Sequence, residues 1–281
     1  MPRRRVAIPV RPLLLAGALA TGASAPASAA PDPLVAAGLP AGAAWRGAVG
    51  DTARWAERQP QRIRFALRVE GRAWSHQGAV QEDSNSLLKP TVMVAYLRRP
   101  SVRGRALTPG ERRLLEPMIR RSANAPVGEL LDRLGGLQPL RRVGRLAGMR
   151  RFAPVRVVWG RSQITATDEA RMFARLPALL PPRHRDYALD LLRTVVPEQR
   201  WGVRRAAPTG WDAVFKSGWN GRGHVTQAMR LTCRGRVVTV AVLVTGRSHH
   251  DATAAAERAG RRLLQPLRRR GAEACRAVVP A

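Results

Sequence analysis

The stretch 83–99, DSNSLLKPTVMVAYLRR, sets a serine and a lysine three residues apart at the head of an apolar run. If a helix opens at Ser86, then Ser86 and Lys89 leave the same face one turn apart, and an amine beside a hydroxyl turns that hydroxyl into a nucleophile. The tetrapeptide alone is equally well explained by a helix cap followed by a solvated lysine. Composition separates the two readings. Of the 49 basic residues 47 are arginine, and Lys89 and Lys216 are the only lysines. Arginine serves wherever a positive charge is enough, but not where an amine must release a proton or act as a compact point charge. Both lysines are therefore expected to do chemistry.

Two further stretches supply what serine acyl transfer needs. Ser122-Ala123-Asn124 falls between two predicted helices, where a hydroxyl and an amide can project into a cleft instead of bonding their own helix. Lys216-Ser217-Gly218-Trp219 ends a predicted strand. Alternation sends Lys216 and Gly218 to one side, and the missing Cβ of glycine lets a substrate lie along the edge.

The elements that must position these groups follow from periodicity. Residues 44–59 are amphipathic at helical spacing, and 62–69 and 72–77 alternate around Glu70-Gly71 as a hairpin. Helix 86–97 is stopped by Pro100. Thr108-Pro109-Gly110-Glu111 is a capping box that opens a helix to about residue 121. Helices are predicted at 127–134, 137–146, 167–176 (capped by Thr167) and 183–195, with 152–162 irregular. Three strands follow, 211–217, 224–233 and 237–245, and then a helix from Asp251 to about 269. Strands at both ends with helices between predict an α+β fold. Its antiparallel sheet of about five strands is flanked by the N- and C-terminal helices. The sheet lobe takes 41–85 plus 205–281, and an inserted all-α lobe takes 86–204.

Residues 1–30 read as an export signal. Arg3, Arg4, Arg5 and Arg11 form a basic head, 13–23 an apolar run too short to span a bilayer, and Ala27-Ser28-Ala29 a cleavage site, so the mature chain is expected to begin near Ala30. A Pro, Ala and Gly tether over 31–40 follows. The expected product is secreted and has no transmembrane segment. Cys233 and Cys275 fit an oxidising compartment as a disulfide closing a loop of about 40 residues, the alternative being two unpaired thiols. Without its signal the chain has 45 basic and 19 acidic residues, net +26. The arginines are spread over the whole chain without a nucleic-acid motif, so the expected partners of this charge are anionic envelope polymers and not a specific nucleic acid. A monomer is expected.

With these motifs in place, the chain resembles the penicillin-recognising serine hydrolases, most closely the class A β-lactamases, over nearly all of residues 41–272. That family carries SxxK at a helix start, SxN in the α lobe and K-[ST]-G on the edge strand. Ser86-Leu87-Leu88-Lys89, Ser122-Ala123-Asn124 and Lys216-Ser217-Gly218 match in that order. The resemblance implies a Ser86 acyl-enzyme formed with β-lactams or D-Ala-D-Ala-type cell-wall peptides. Lys89 takes the Ser86 proton and Ser122 relays a proton to the departing nitrogen. Asn124 holds the substrate amide and Lys89, Lys216 and Ser217 hold the substrate carboxylate, and the backbone N–H groups of Ser86 and Trp219 form the oxyanion hole. No cofactor is implied.

Two departures bear on turnover. Ala123 stands where the family carries aspartate, and the stretch between the first two motifs is short. More consequential, class A enzymes hydrolyse the acyl intermediate with a glutamate on a loop after the second motif, and 134–166 contains no acidic residue. Asp168 and Glu169 come next, in a helix's first turn, where complementing the macrodipole is the expected role. Deacylation is therefore expected to be slow. The alternative is a binding protein on the same fold that captures envelope polymers or β-lactams without turnover.

The other conspicuous residues have ordinary readings. No metal is expected at His249-His250-Asp251, because adjacent histidines point apart and Asp251 serves as a helix cap. Trp201, Trp211 and Trp219 are expected to be core more than cleft. His224 has equal claims to face substrate or solvent.

Overall fold

The computed structural model describes residues 32–268 and Cys275, so the expected signal over 1–30 lies outside the described residues, and the helix expected from Asp251 to about 269 instead ends at Leu263. Alternating apolar positions build the central sheet. The hairpin β1 (Arg62–Val69) and β2 (Arg72–His76) turns at Glu70-Gly71, both with positive φ. The meander β5 (Asp212–Trp219), β6 (His224–Cys233) and β7 (Arg236–Thr245) completes five strands in the order β2-β1-β7-β6-β5. Every pairing is antiparallel, with Phe65 opposite Val242 and Gly218 opposite Thr226. This leaves β5, the strand of Lys216, at an edge.

Each face of the sheet has its own core. Ile63, Phe65, Leu67 and Val69 pack with Trp45 and Trp55 of α2 (Gly42–Glu57) and with α10 (His249–Leu263). Ala252, Ala255, Ala256 and Ala259 keep α10 close to the strands. Ala66, Val214, Ala228 and Leu243 face the other way, toward Val92 and Met93 of α3 (Lys89–Leu97) and Phe173 of α8 (Ala166–Leu179). Burial of each large apolar side chain contributes about 1.5 to 3 kcal/mol.

The helical insert continues with α4 (Pro100–Arg103), α5 (Pro109–Arg120), α6 (Ala125–Arg133), α7 (Gln138–Ala147) and α9 (Pro182–Arg193). The capping box forms as its sequence predicts. Thr108 Oγ1 accepts from the Glu111 amide while the Glu111 carboxylate accepts from the Thr108 amide. Cys233 and Cys275 are disulfide-bonded, Cα to Cα 5.9 Å.

Several local expectations change. The stretch 32–40, expected as a tether, holds α1 (Pro33–Ala36), capped by the Asp32 carboxylate, and buries Leu34 and Leu39. Thr165, not Thr167, caps α8 and accepts from the Asp168 amide, because Gln163 and Ile164 of β4 carry the chain two residues less far than periodicity suggests. Ser248, not Asp251, caps α10, and the Asp251 carboxylate accepts from the Arg247 amide and from Gln61. A small pair, β3 (Glu82–Asp83) with β4 (Gln163–Ile164), has no counterpart in the sequence patterns.

Candidate active site

Ser86 lies in a 3-10 turn, Asn85–Leu88, and α3 begins only at Lys89. The helix predicted over 86–97 is thus tighter at its start. A 3-10 turn eclipses positions three apart, so Ser86 and Lys89 still share a face. Asn85 just before it has φ +47°, a conformation asparagine tolerates better than most residues.

That turn is clamped from both sides. The Thr226 hydroxyl donates to Ser84 O at 2.8 Å, and Asn85 Nδ2 meets His224 Nδ1 at 2.9 Å. His224 Nε2 lies 3.4 Å from a Glu82 carboxylate oxygen. His224 therefore faces neither substrate nor solvent. It is buried and braces the turn from β6. Across the turn, the Ser84 amide donates to Ser162 O at 2.8 Å and its hydroxyl to Gly160 O at 3.3 Å.

Lys89 projects from the turn into a buried chain of polar groups. Its ammonium donates to Ser122 O, to Ser122 Oγ at 3.2 Å and to Asn124 Oδ1 at 2.9 Å. From the opposite side Lys216 Nζ reaches the same Ser122 Oγ at 2.9 Å and Ser217 O at 2.8 Å. Ser122 holds this position with φ +58°, a strained conformation for a residue with a Cβ. Burial lowers the Lys89 pKa to about 7, and burial followed by the neighbouring Lys89 charge pulls Lys216 well below the usual lysine range. A neutral amine can accept the Ser122 proton, which two ammonium groups could not.

The strand edge completes the arrangement. A Cβ on Gly218 would stand 2.6 Å from the Ser86 amide nitrogen, so the two backbones are in direct contact. The Ser86 amide sits in the first turn of its helical segment, where N–H groups have no intrahelical acceptor. The Asn220 amide bonds His224 O on β6, so by two-residue alternation the Trp219 N–H faces the open edge. Ser217 Oγ is buried and has no partner among the described residues. Lys89, Ser122, Asn124 and Lys216 are thus joined by hydrogen bonds, with Asn124 exposed, and Gly218 lies against the Ser86 backbone.

Trp159 is the site residue that sequence patterns do not point to. Its ring lies 5.1 Å from Lys89 Nζ, held there by the Gly160 and Ser162 carbonyls that bond Ser84. It comes from the irregular stretch without carboxylates. Asp168 and Glu169 do not replace them. The Asp168 carboxylate accepts from the Arg150 and Arg151 amides, and Glu169 is fully buried without a hydrogen-bond partner among the described residues, its pKa pushed well up by burial and then by Asp168. Trp201, Trp219 and His249 form a partly buried aromatic cluster beyond the strand end, while Trp211 is core. Among the described residues no group of three or more His, Cys, Asp or Glu could hold a metal, and no helix is long and apolar enough to cross a membrane.

The fold has known relatives among solved structures. The chain resembles a β-lactamase from Desulfarculus baarsii DSM 2075, at 19% identity over 79% of this chain and 98% of that one, TM-score 0.67. It is equally similar to a class A β-lactamase from Mycobacterium abscessus, at 19% identity over 78% and 98%, TM-score 0.67. A PBP-A variant solved as an acyl-enzyme complex with penicillin G aligns at 19% identity over 80% and 97%, TM-score 0.66. These likenesses establish a shared fold. A sequence comparison with curated proteins finds no match. Residues 104–267 match the model of the β-lactamase enzyme family, a span that takes in Ser122, Asn124 and Lys216 to Gly218 but starts after Ser86 and Lys89. Since that span is more than half of its length, the chain belongs to the β-lactamase enzyme family.

Proposed function

We propose that this is a secreted serine hydrolase whose Ser86 forms an acyl-enzyme with β-lactams or D-Ala-D-Ala-type peptides. The observation that carries this reading is the buried chain Lys89–Ser122–Lys216 beside the contact between Gly218 and the Ser86 amide. Neutral Lys89 takes the Ser86 proton as Oγ attacks the carbonyl carbon. The Ser86 and Trp219 amides hold the developing oxyanion, each worth about 3 to 4 kcal/mol. Ser122 passes a proton to the leaving nitrogen, and the C–N bond breaks to leave an ester on Ser86. Lys216 and the unpartnered Ser217 hydroxyl receive the substrate carboxylate, and Asn124 its amide side chain.

Release of the acyl group is slow in this reading. Trp159 covers Lys89 where a carboxylate would be needed to activate water, and 134–166 supplies none. Secretion rests on the signal-like residues 1–30 and the disulfide.

Incubation with a fluorescent penicillin followed by intact mass measurement tests the reading. A stoichiometric adduct, absent in Ser86→Ala and outlasting the turnover of a chromogenic cephalosporin, is expected. Absence of an adduct would leave only a binding protein, and rapid sustained cephalosporin hydrolysis would overturn slow deacylation. A D-Ala-D-Ala peptide assayed alongside discriminates the two substrate classes.

A further inference from the structure

A second concavity lies at the far end of α3. Its volume is about 500 Å³, and five of its lining residues are Arg98, Arg99, Arg103, Arg142 and Arg145. Among the described residues no acidic side chain lines it. Nine residues along α3 separate Arg98 from Lys89, about 13 Å at the helical rise, so this cavity is distinct from the acyl site.

Some arginines of the insert are neutralised by carboxylates and those of this cavity are not. Elsewhere in the insert Arg105 pairs with Glu111, Arg133 with Glu129 and Arg156 with Asp132. Among the described residues none of the five cavity guanidiniums has an ion-pair partner. Two are held in place as parts of the wall. Arg98 donates to Leu179 O at 2.8 Å, and Arg99 lies over the Tyr96 ring at 5.6 Å. Arg103, Arg142 and Arg145 are exposed around the mouth.

Like charges gathered in one concavity repel one another unless an anion joins them. The volume falls within the range of small-ligand sites. The planar guanidinium fork matches phosphate and carboxylate alike. Five such forks favour phosphate, because each group brings up to about two negative charges and three acceptor oxygens, whereas a carboxylate brings one charge and two oxygens. We propose that this cavity binds an anion bearing several closely spaced phosphates.

Calorimetric titration of the full protein with sodium tripolyphosphate at physiological ionic strength tests the assignment. Saturable one-to-one binding is expected, weakened about 10-fold or more in the double variant R142S/R145S and several-fold in R103S. The pair R58S/R258S removes the same charge from α10 and the end of α2 and should stay within about 2-fold of wild type. Citrate should bind at least about 10-fold more weakly. Equal weakening by the control pair, citrate matching tripolyphosphate, or no saturable binding would each overturn the proposal. Ser86→Ala should bind as the wild type does, so this outcome is independent of the acyl-enzyme reading.

Discussion

Gly218 passes so near the turn carrying Ser86 that a β-carbon there would stand 2.6 Å from the Ser86 amide nitrogen. The same atom would lie 2.7 Å from the Leu87 amide and 2.7 Å from Thr226 Oγ1, so neither side has room to yield. The strand edge and the turn carrying Ser86 are thereby held at this close approach.

Gly218→Ala should therefore push β5 from the turn. Acylation by a fluorescent penicillin is expected to fall by about 100-fold or more as the two oxyanion donors separate. Overpacking should also lower stability by roughly 1 to 3 kcal/mol. Stopped-flow acylation and thermal unfolding measure the two effects, and a wild-type acylation rate would contradict the contact.

Acylation should rise with pH through about 7, where Lys89 loses its proton. Lys89→Arg cannot follow, because a guanidinium stays charged, and a loss of about 1,000-fold or more is expected across the whole pH range. The same lowered pKa acts on stability. Between about 7 and the unfolded lysine value of 10.5 the unfolded chain binds more protons, so stability should increase with pH over that window. An acylation profile flat from pH 6 to 9 would remove Lys89 from the role of base.

Trp159→Ala should move that pH limb upward. The indole contributes to the burial that disfavours the ammonium, and its removal admits water around Lys89. Water admitted to the site should also shorten the lifetime of the Ser86 ester. Mass spectrometry of the adduct over time reads the second effect, and pH-dependent acylation the first.

Glu169→Gln should leave acylation unchanged and stabilise the protein increasingly as pH rises above about 4.5. The buried carboxyl keeps its proton when folded, while the unfolded chain releases it, so the native state loses on the order of 1 kcal/mol per pH unit in that range. Denaturant unfolding of both proteins at pH 5 and pH 8 compares the margins. A loss of ester hydrolysis in the variant would instead make Glu169 a base.

Much of the architecture is legible because its causes are local. The Thr108-to-Glu111 capping box, the Glu70-Gly71 turn and the alternation of 62–69 each need only neighbours in the chain, and each forms as its pattern predicts. Short-range patterns fail where a distant partner decides. Thr165 displaces Thr167 as a cap because β4 pairs with β3, about eighty residues away. The short helix of 33–36 escapes notice because four residues carry no period, and the burial of Leu34 and Leu39 holds that stretch instead.

The site divides along the same line. Retention of lysine at Lys89 and Lys216 in an arginine-dominated chain, and the serine three residues before the first, are properties of sequence alone. They mark the groups proposed to react. Whether those groups meet, and in which protonation state, depends on packing. Ser122 Oγ joins the two amines only because α3, the turn before α6 and β5 converge, and Trp159 reaches Lys89 from an unpatterned loop. Burial that lowers an amine's pKa is the work of every chain segment that excludes water from it, and no single stretch of sequence contains that sum.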